Sequence, residues 1–391
     1  MLRPALLPPR ICLLGLFLWV GCHRSSEGDL PKTRRIVELN QRSVAALVPT
    51  STSRNEWAQA ILGALKQVRR TPERASVCAV IAVIAQESNF QANPVVPVLA
   101  QVVKTRLADY EKKYGRAGKA LIKSLLNGRA LEDNRTFRER LEVVRTERDL
   151  DLTFRDMLAY YRLMHPIAFG AANVAEHLWD GRSLQELNPI ATAGPMQVNV
   201  AFAEQWASDH DTGDKNVRDN LYTITGGVLY GTARLFDHEA AYTEIIYRFA
   251  DYNAGIYASR NAAFQTQLGR LLGQTLALDG DLLRYDADGE ISSDESQSFT
   301  ALKVFAEQYD KELSNWRVKQ DVAHEKRKSF EDTDTYKSVK AAFAKKFKTT
   351  PRYAILPQAE IDSPKLRRKR STGTYATSTQ RRYEACVGAG P

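Results

Sequence analysis

Apolar residues recur at helical spacing along most of this chain. Trp57, Ile61, Leu62, Leu65 and Val68 predict a helix with one buried face. Thr71, Pro72 and Glu73 then supply an N-cap, a first-turn proline and a first-turn acid for a second helix. That helix carries Val77, Cys78, Val80, Ile81, Val83 and Ile84 around its circumference, the signature of a central helix buried on all sides. So many β-branched residues also suit a strand, but the start signal, the alanines and the length favour the helix. It finishes in VIAQESNF with a carboxylate, Glu87, at the end of an oily run. A glutamate beside apolar walls loses solvation of its charged form, so its pKa rises and it can donate a proton at neutral pH. The plainer reading of Glu87 alone is a frayed helix end reaching solvent.

The same periodicity continues over 96–114, 117–126 and 136–165, and again over 201–206, 217–236, 239–250 and 258–272. No NG or DG turn joins alternating strands, and no repeat of solenoid type is present. A turn-rich acidic stretch, LALDGDLLRYDADGEISSDES, precedes amphipathic helices near 300–327 and 334–346, and 357–391 is basic and weakly periodic. The fold class is therefore mostly α.

Composition changes the picture at the N-terminus. With 391 residues, 43% of them hydrophobic, the chain can build one large domain or two ordinary ones. Arg3 and Arg10 precede the apolar run ICLLGLFLWVG, which is short for a bilayer span and reads as a secretory signal over 1–22. Gly21 and Cys22 resemble the end of a bacterial lipoprotein signal, in which the cysteine is acylated after cleavage; Trp19 stands where leucine is usual. Ordinary secretion and a retained anchor are the alternatives. Residues 23–35 are polar and suit a tether. Loss of Arg3 and Arg10 changes the formal charge from +9 to +7, so the mature chain stays basic and attracts acidic envelope polymers. Export, and the lack of zinc-finger spacing or an aromatic nucleic-acid motif, argue against nucleic acid. Cys78 and Cys386 can pair in an oxidising compartment or stay as two buried thiols.

Three short pieces carry the chemistry: QESNF at 86–90, AGPMQVN at 193–199 and ADYNAG at 250–255. In this order, with GGVLYGTARLF between the last two, they resemble the catalytic domain of soluble lytic transglycosylases and goose-type lysozymes. The likeness covers about a third of the mature chain, mainly 57–90 and 191–272. It implies a lysozyme-like helical domain that cuts peptidoglycan glycan strands, with Glu87 as catalytic acid and Ser88 helping to hold sugar or peptide. It also implies Met196 on the sugar-facing wall, Gln197 as a polar contact, and Tyr252 and Asn253 near the glutamate and the sugar. Pro195 replaces the common leucine. The chain also resembles an uncharacterised lipoprotein family of proteobacteria, which implies a gram-negative envelope and an outer membrane facing the periplasm.

Glycosidic cleavage needs an acid for the leaving oxygen and a group to quench the oxocarbenium-like carbon, usually a second carboxylate. No second acid accompanies the motifs; Asp251 adjoins Tyr252, but neighbours on a helix point apart. The resemblance accounts for this, because in lytic transglycosylases the muramic acid's own C6 hydroxyl attacks its anomeric carbon, and a tethered nucleophile is effectively very concentrated. A hydrolytic muramidase and a noncatalytic peptidoglycan-binding scaffold are the alternatives.

Phe90 and Gly194 are about a hundred residues apart, so 91–190 is an insertion within a domain over 36–275, followed by a helical extension over 276–356 and a basic tail over 357–391. Gly289 is misplaced for an EF-hand in DADGEISSDES, which reads as a solvated turn. The six histidines have no ligand spacing, so neither a metal nor a cofactor is expected, and GxSxG is absent. KLRRKR at 365–370 reads as a solvated tail, with contact to anionic polymer or lipid as the alternative.

Overall fold

The computed structural model describes residues 37–49, 53–164, 166, 188–285, 291–361 and 370–389, and over these the protein is mostly α-helical. The signal over 1–22 with Cys22, the tether over 23–35, most of KLRRKR and part of DADGEISSDES lie outside the described residues.

Three helices open the fold: α1 (Gln41–Leu47), α2 (Arg54–Gln67) and α3 (Arg74–Glu87). Trp57, Ile61 and Leu65 of α2 are buried as their spacing predicts, and α3 is buried continuously from Ser76 to Ile84. The start of α3 lies later than Thr71 suggests. The Leu39 amide donates to the Pro72 carbonyl at 2.9 Å and Glu38 bridges Glu73, so this stretch is extended and Glu73 becomes the N-cap.

The insertion is largely helical where it is described: α4 (Leu99–Asn127), α5 (Phe137–Glu142) and α6 (Glu147–Met164). Gly115, at φ +62° and ψ −149°, breaks α4 where the sequence separates two helices. A two-residue hairpin, β1 (Thr192–Ala193) antiparallel to β2 (Val198–Asn199), then carries Gly194 to Gln197 at its tip. It leads into α7 (Val200–Asp209), α8 (Val217–Asn220), α9 (Ile224–Phe236), α10 (Ile245–Ala254) and α11 (Ala258–Leu272). The single helix expected over 217–236 is two, and α10 starts later than expected, at Ile245.

After α11 come α12 (Gln297–Tyr309), α13 (Asn315–Val322) and α14 (Asp334–Phe347), so the helix expected over 300–327 is split. A second small hairpin, β3 (Glu360–Ile361) with β4 (Arg370–Ser371), precedes α15 (Thr372–Gly388). This corrects the expectation of a basic tail. Ser371 caps α15, and Thr372, Tyr375, Ala376, Thr379 and Cys386 form its buried stripe. Cys386 is disulfide-bonded to Cys78 of α3, with their Cα atoms 5.5 Å apart.

Two apolar cores result. The first gathers α1 to α3, α7, α9, α10 and α15 around α3; the second joins α11 to α12, α13 and α14. The expected extension is therefore built onto α11 through Phe264, Leu268 and Leu271, with which it shares the second core. Arg260 of α11 is fully buried at this seam, donating to the carbonyls of Glu325 at 2.5 Å and Arg327 at 2.9 Å, with the Tyr257 ring 4.2 Å from its guanidinium. A buried guanidinium is tolerable only with such partners.

Candidate functional site

Glu87 ends α3, where the helix dipole disfavours a negative charge, so it needs a specific partner. The Tyr375 hydroxyl of α15 donates to Glu87 Oε1 at 2.5 Å. Tyr375 is 6% exposed and Glu87 is half-buried. Burial pushes the Tyr375 phenol well above its ordinary pKa, and the Glu87 charge adds to this, which keeps the phenol a neutral donor.

The turn after Glu87 places Asn89 and Phe90 at φ +50° and +63°, left-handed conformations that cost of the order of 1–3 kcal/mol each. The Phe90 ring compensates by packing edge-on against Trp57 of α2, 5.3 Å between centroids. Gln197 is left-handed too, at φ +49°, so two of the three motifs contain strained non-glycine backbone.

The hairpin tip lies against α9. A Cβ on Gly194, which has φ +79°, would stand 1.9 Å from the Leu221 carbonyl oxygen, and one on Gly231 would stand 2.3 Å from Met196 Sδ. Only hydrogen fits at either place. Met196 is consequently fully buried, and its carbonyl accepts the Tyr252 hydroxyl of α10 at 2.6 Å. Burial raises the Tyr252 pKa well above the ordinary value, and the Glu87 charge raises it further, which places this phenol in the field of the carboxylate. Glu87, Met196 and Tyr252 thus come from distant parts of the chain into one neighbourhood.

The other motif residues have partners within the protein. Ser88 is buried and its hydroxyl donates to the Ile84 carbonyl at 3.2 Å, at the end of its own helix. Met196 lies behind the surface, supporting the wall instead of facing it. Gln197 donates to Glu147 Oε2 at 2.8 Å and accepts from Thr192 Oγ1 at 3.2 Å. Asn253 accepts from Thr372 of α15 at 3.2 Å. Asp251 faces away, as expected for a helical neighbour of Tyr252; it is fully buried, accepts from the Ser259 amide at 2.6 Å and the Tyr242 hydroxyl at 2.8 Å, and burial pushes its carboxyl pKa up.

Two contributors escaped the sequence reading. Tyr375 sits in a segment whose threonines and glycine weaken helical propensity; the available signal was Cys386, because pairing with Cys78 brings α15 onto α3. Glu147 is a buried carboxylate from the insertion, placed on Gln197 with no pattern to announce it.

A cavity of about 810 Å³ lies elsewhere, lined by residues that include Arg69, Trp206, His210, Asp214, Tyr230 and Asp237, with none of the motif residues above. Its polar groups are largely paired among themselves: Trp206 Nε1 donates to Asp237 at 2.5 Å and the Tyr230 hydroxyl to Asp214 at 2.6 Å. Among the described residues, no group of three His, Cys, Asp or Glu is placed to hold a metal, and no helix is long and apolar enough to cross a membrane.

Residues 50–389 match the family described as protein of unknown function DUF1615. A curated relative, the uncharacterized protein YaiW of Escherichia coli, is 32% identical over 383 residues, spanning 96% of this chain and 97% of the relative. No solved structure matches. With the family match running from α2 through the helix that covers Glu87, and the relative matching along nearly its full length, the chain belongs to the DUF1615 family.

Proposed function

We propose that the protein is a peptidoglycan lytic transglycosylase on a lysozyme-like scaffold, with Glu87 as its acid and base. The observation that carries this reading is the convergence of Glu87 with Tyr252 and Met196, which lie more than a hundred residues after it in the chain. Glu87 protonates the oxygen linking N-acetylmuramic acid to N-acetylglucosamine, and the bond from that oxygen to the muramic anomeric carbon breaks. The muramic C6 hydroxyl then bonds to the same carbon, closing a 1,6-anhydro ring, and its proton returns to Glu87. No water is consumed, and the enzyme ends as it began. Glu147, the second carboxylate of the neighbourhood, is buried on Gln197, which suits support of the hairpin better than activation of water.

Digestion of purified peptidoglycan tests the reading. Anhydromuramic products lighter than hydrolytic ones by about one water, roughly 18 Da, are expected from the bonds formed and broken. Reducing muramic ends would indicate a hydrolytic muramidase. The second reading, a noncatalytic glycan-binding protein, is favoured by the position of α15 over Glu87 and would give binding without product.

Export with lipidation at Cys22 completes the proposal, giving a protein anchored by its N-terminal lipid in a gram-negative envelope. The disulfide supports it, since such bonds persist in oxidising compartments. Cys22→Ala is expected to move the protein from the membrane to the soluble fraction; an unchanged distribution in cell fractionation would refute the anchor.

A further inference from the structure

We propose that Tyr375 is the positioning residue for Glu87, pinning Oε1 and so fixing the plane in which the carboxyl group gives and takes a proton. The proposal rests on the acid and base reading of Glu87 given above.

Two tyrosines stand near the carboxylate, and their hydroxyls point to different acceptors. Tyr252 belongs to a motif, yet it donates to the Met196 carbonyl at 2.6 Å; Tyr375 donates to the carboxylate at 2.5 Å. The distance and the charge make the second a strong, charge-assisted bond. Tyr375 is itself held on both sides. One turn before it, Thr372 donates to Asn253 of α10 at 3.2 Å. One to two turns after it, Ser378 and Arg382 both donate to Gln86 Oε1, at 2.9 and 3.0 Å. Further along, Cys386 is bonded to Cys78 of the helix that ends on Glu87. The residues flanking Tyr375 therefore grip Gln86 and Asn253, the neighbours in sequence of Glu87 and Tyr252. The segment of α15 that carries the phenol cannot withdraw without breaking contacts to both helices.

A group that must donate and then recover a proton gains from such a partner. The phenol offers its hydrogen to the carboxylate left after the first transfer, stabilising the state that accepts the C6 hydroxyl proton. Burial and the Glu87 charge keep the phenol protonated, so it stays a donor through the cycle. It supplies no proton to the substrate itself.

Tyr375→Phe in the full-length protein, compared with wild type across pH on peptidoglycan, tests this. Loss of the donor makes the Glu87 carboxyl easier to protonate. The first step needs protonated Glu87, so activity falls as pH rises through its titration, and that falling limb should move to higher pH by about one unit, the scale of one charged hydrogen bond. Turnover should fall about tenfold, less than the roughly 10²- to 10⁴-fold of removing the acid itself. An unmoved limb overturns the proposal, whether turnover is kept or lost, because a structural defect alone does not shift it. If wild type makes no product, the transglycosylase reading fails, and infrared titration of ¹³C-labelled glutamate, with Glu87→Gln as the blank, decides the positioning role. A higher midpoint for the Glu87 band in Tyr375→Phe supports the role, and an equal midpoint overturns it.

Discussion

Glu87→Gln is expected to fold, to keep its disulfide and to bind glycan strands, while losing turnover by roughly 10²- to 10⁴-fold, the contribution typical of one general acid or base. The loss should fall towards the upper end, because a single carboxyl serves both proton transfers in the proposed cycle. The amide is nearly isosteric and can still accept from the Tyr375 hydroxyl, so α15 should stay seated. Product release from peptidoglycan, followed by mass spectrometry, measures the effect, and circular dichroism checks the fold. Equal product from both proteins would assign the cleavage to another group or to a contaminating enzyme. Glu147→Gln is the informative companion. If Glu147 supports Gln197 without entering the chemistry, its loss should change product yield but never product type.

The second large effect concerns the covalent tie between α3 and α15. Cys386→Ser is expected to destabilise the protein by about 2–5 kcal/mol, the range for removing a native bridge. The closed loop spans 308 residues of sequence, so in the chain-entropy view its release adds much freedom to the unfolded state. Urea unfolding should show a lower midpoint for the variant, and wild type in reductant should move the same way. The effect should be largest at α15, whose remaining anchors are side-chain hydrogen bonds and the apolar contacts of Tyr375, Ala376 and Tyr383. Proteolysis near residue 371 under native conditions would register that local release, and equal resistance in variant and wild type would contradict it.

Where the hydrophobic pattern was strong, the fold was legible. Helix α3 has apolar residues on every side and little else it could become, and α2 and α11 follow plain helical stripes. The failures have local causes. The segment before α3 looked like a helix start until pairing between Glu38 and Glu73 claimed it. The hairpin around Met196 has strands of only two residues, too short to alternate. α15 was missed because its buried face mixes threonine, alanine and tyrosine, a stripe that averages to polar.

Legibility of the site followed another rule. Glu87, Met196 and Tyr252 could be marked because their motifs are compact. Their individual duties could not, since those depend on which acceptor each side chain reaches. Tyr252 and Tyr375 are chemically the same group, and only three-dimensional placement gives one to a carbonyl and the other to the acid. The resemblance gives Ser88 a part in holding substrate, and its hydroxyl lies against its own helix.

The distance along the chain between Glu87 and the helix over it sets an order of events in biosynthesis. Tyr375 leaves the ribosome 288 residues after Glu87, and Cys386 follows Cys78 by 308. Contacts this remote cannot form on a nascent chain whose later part does not yet exist, and pairings of high sequence separation are intrinsically slow. The glutamate therefore waits for its tyrosine until nearly all of the polypeptide has been made, and, for an exported chain, has crossed into an oxidising space. A fragment truncated before α15 would carry all three motifs and still lack the hydroxyl that bonds Glu87, so under the proposed function an immature or clipped chain would be without the group that positions its acid.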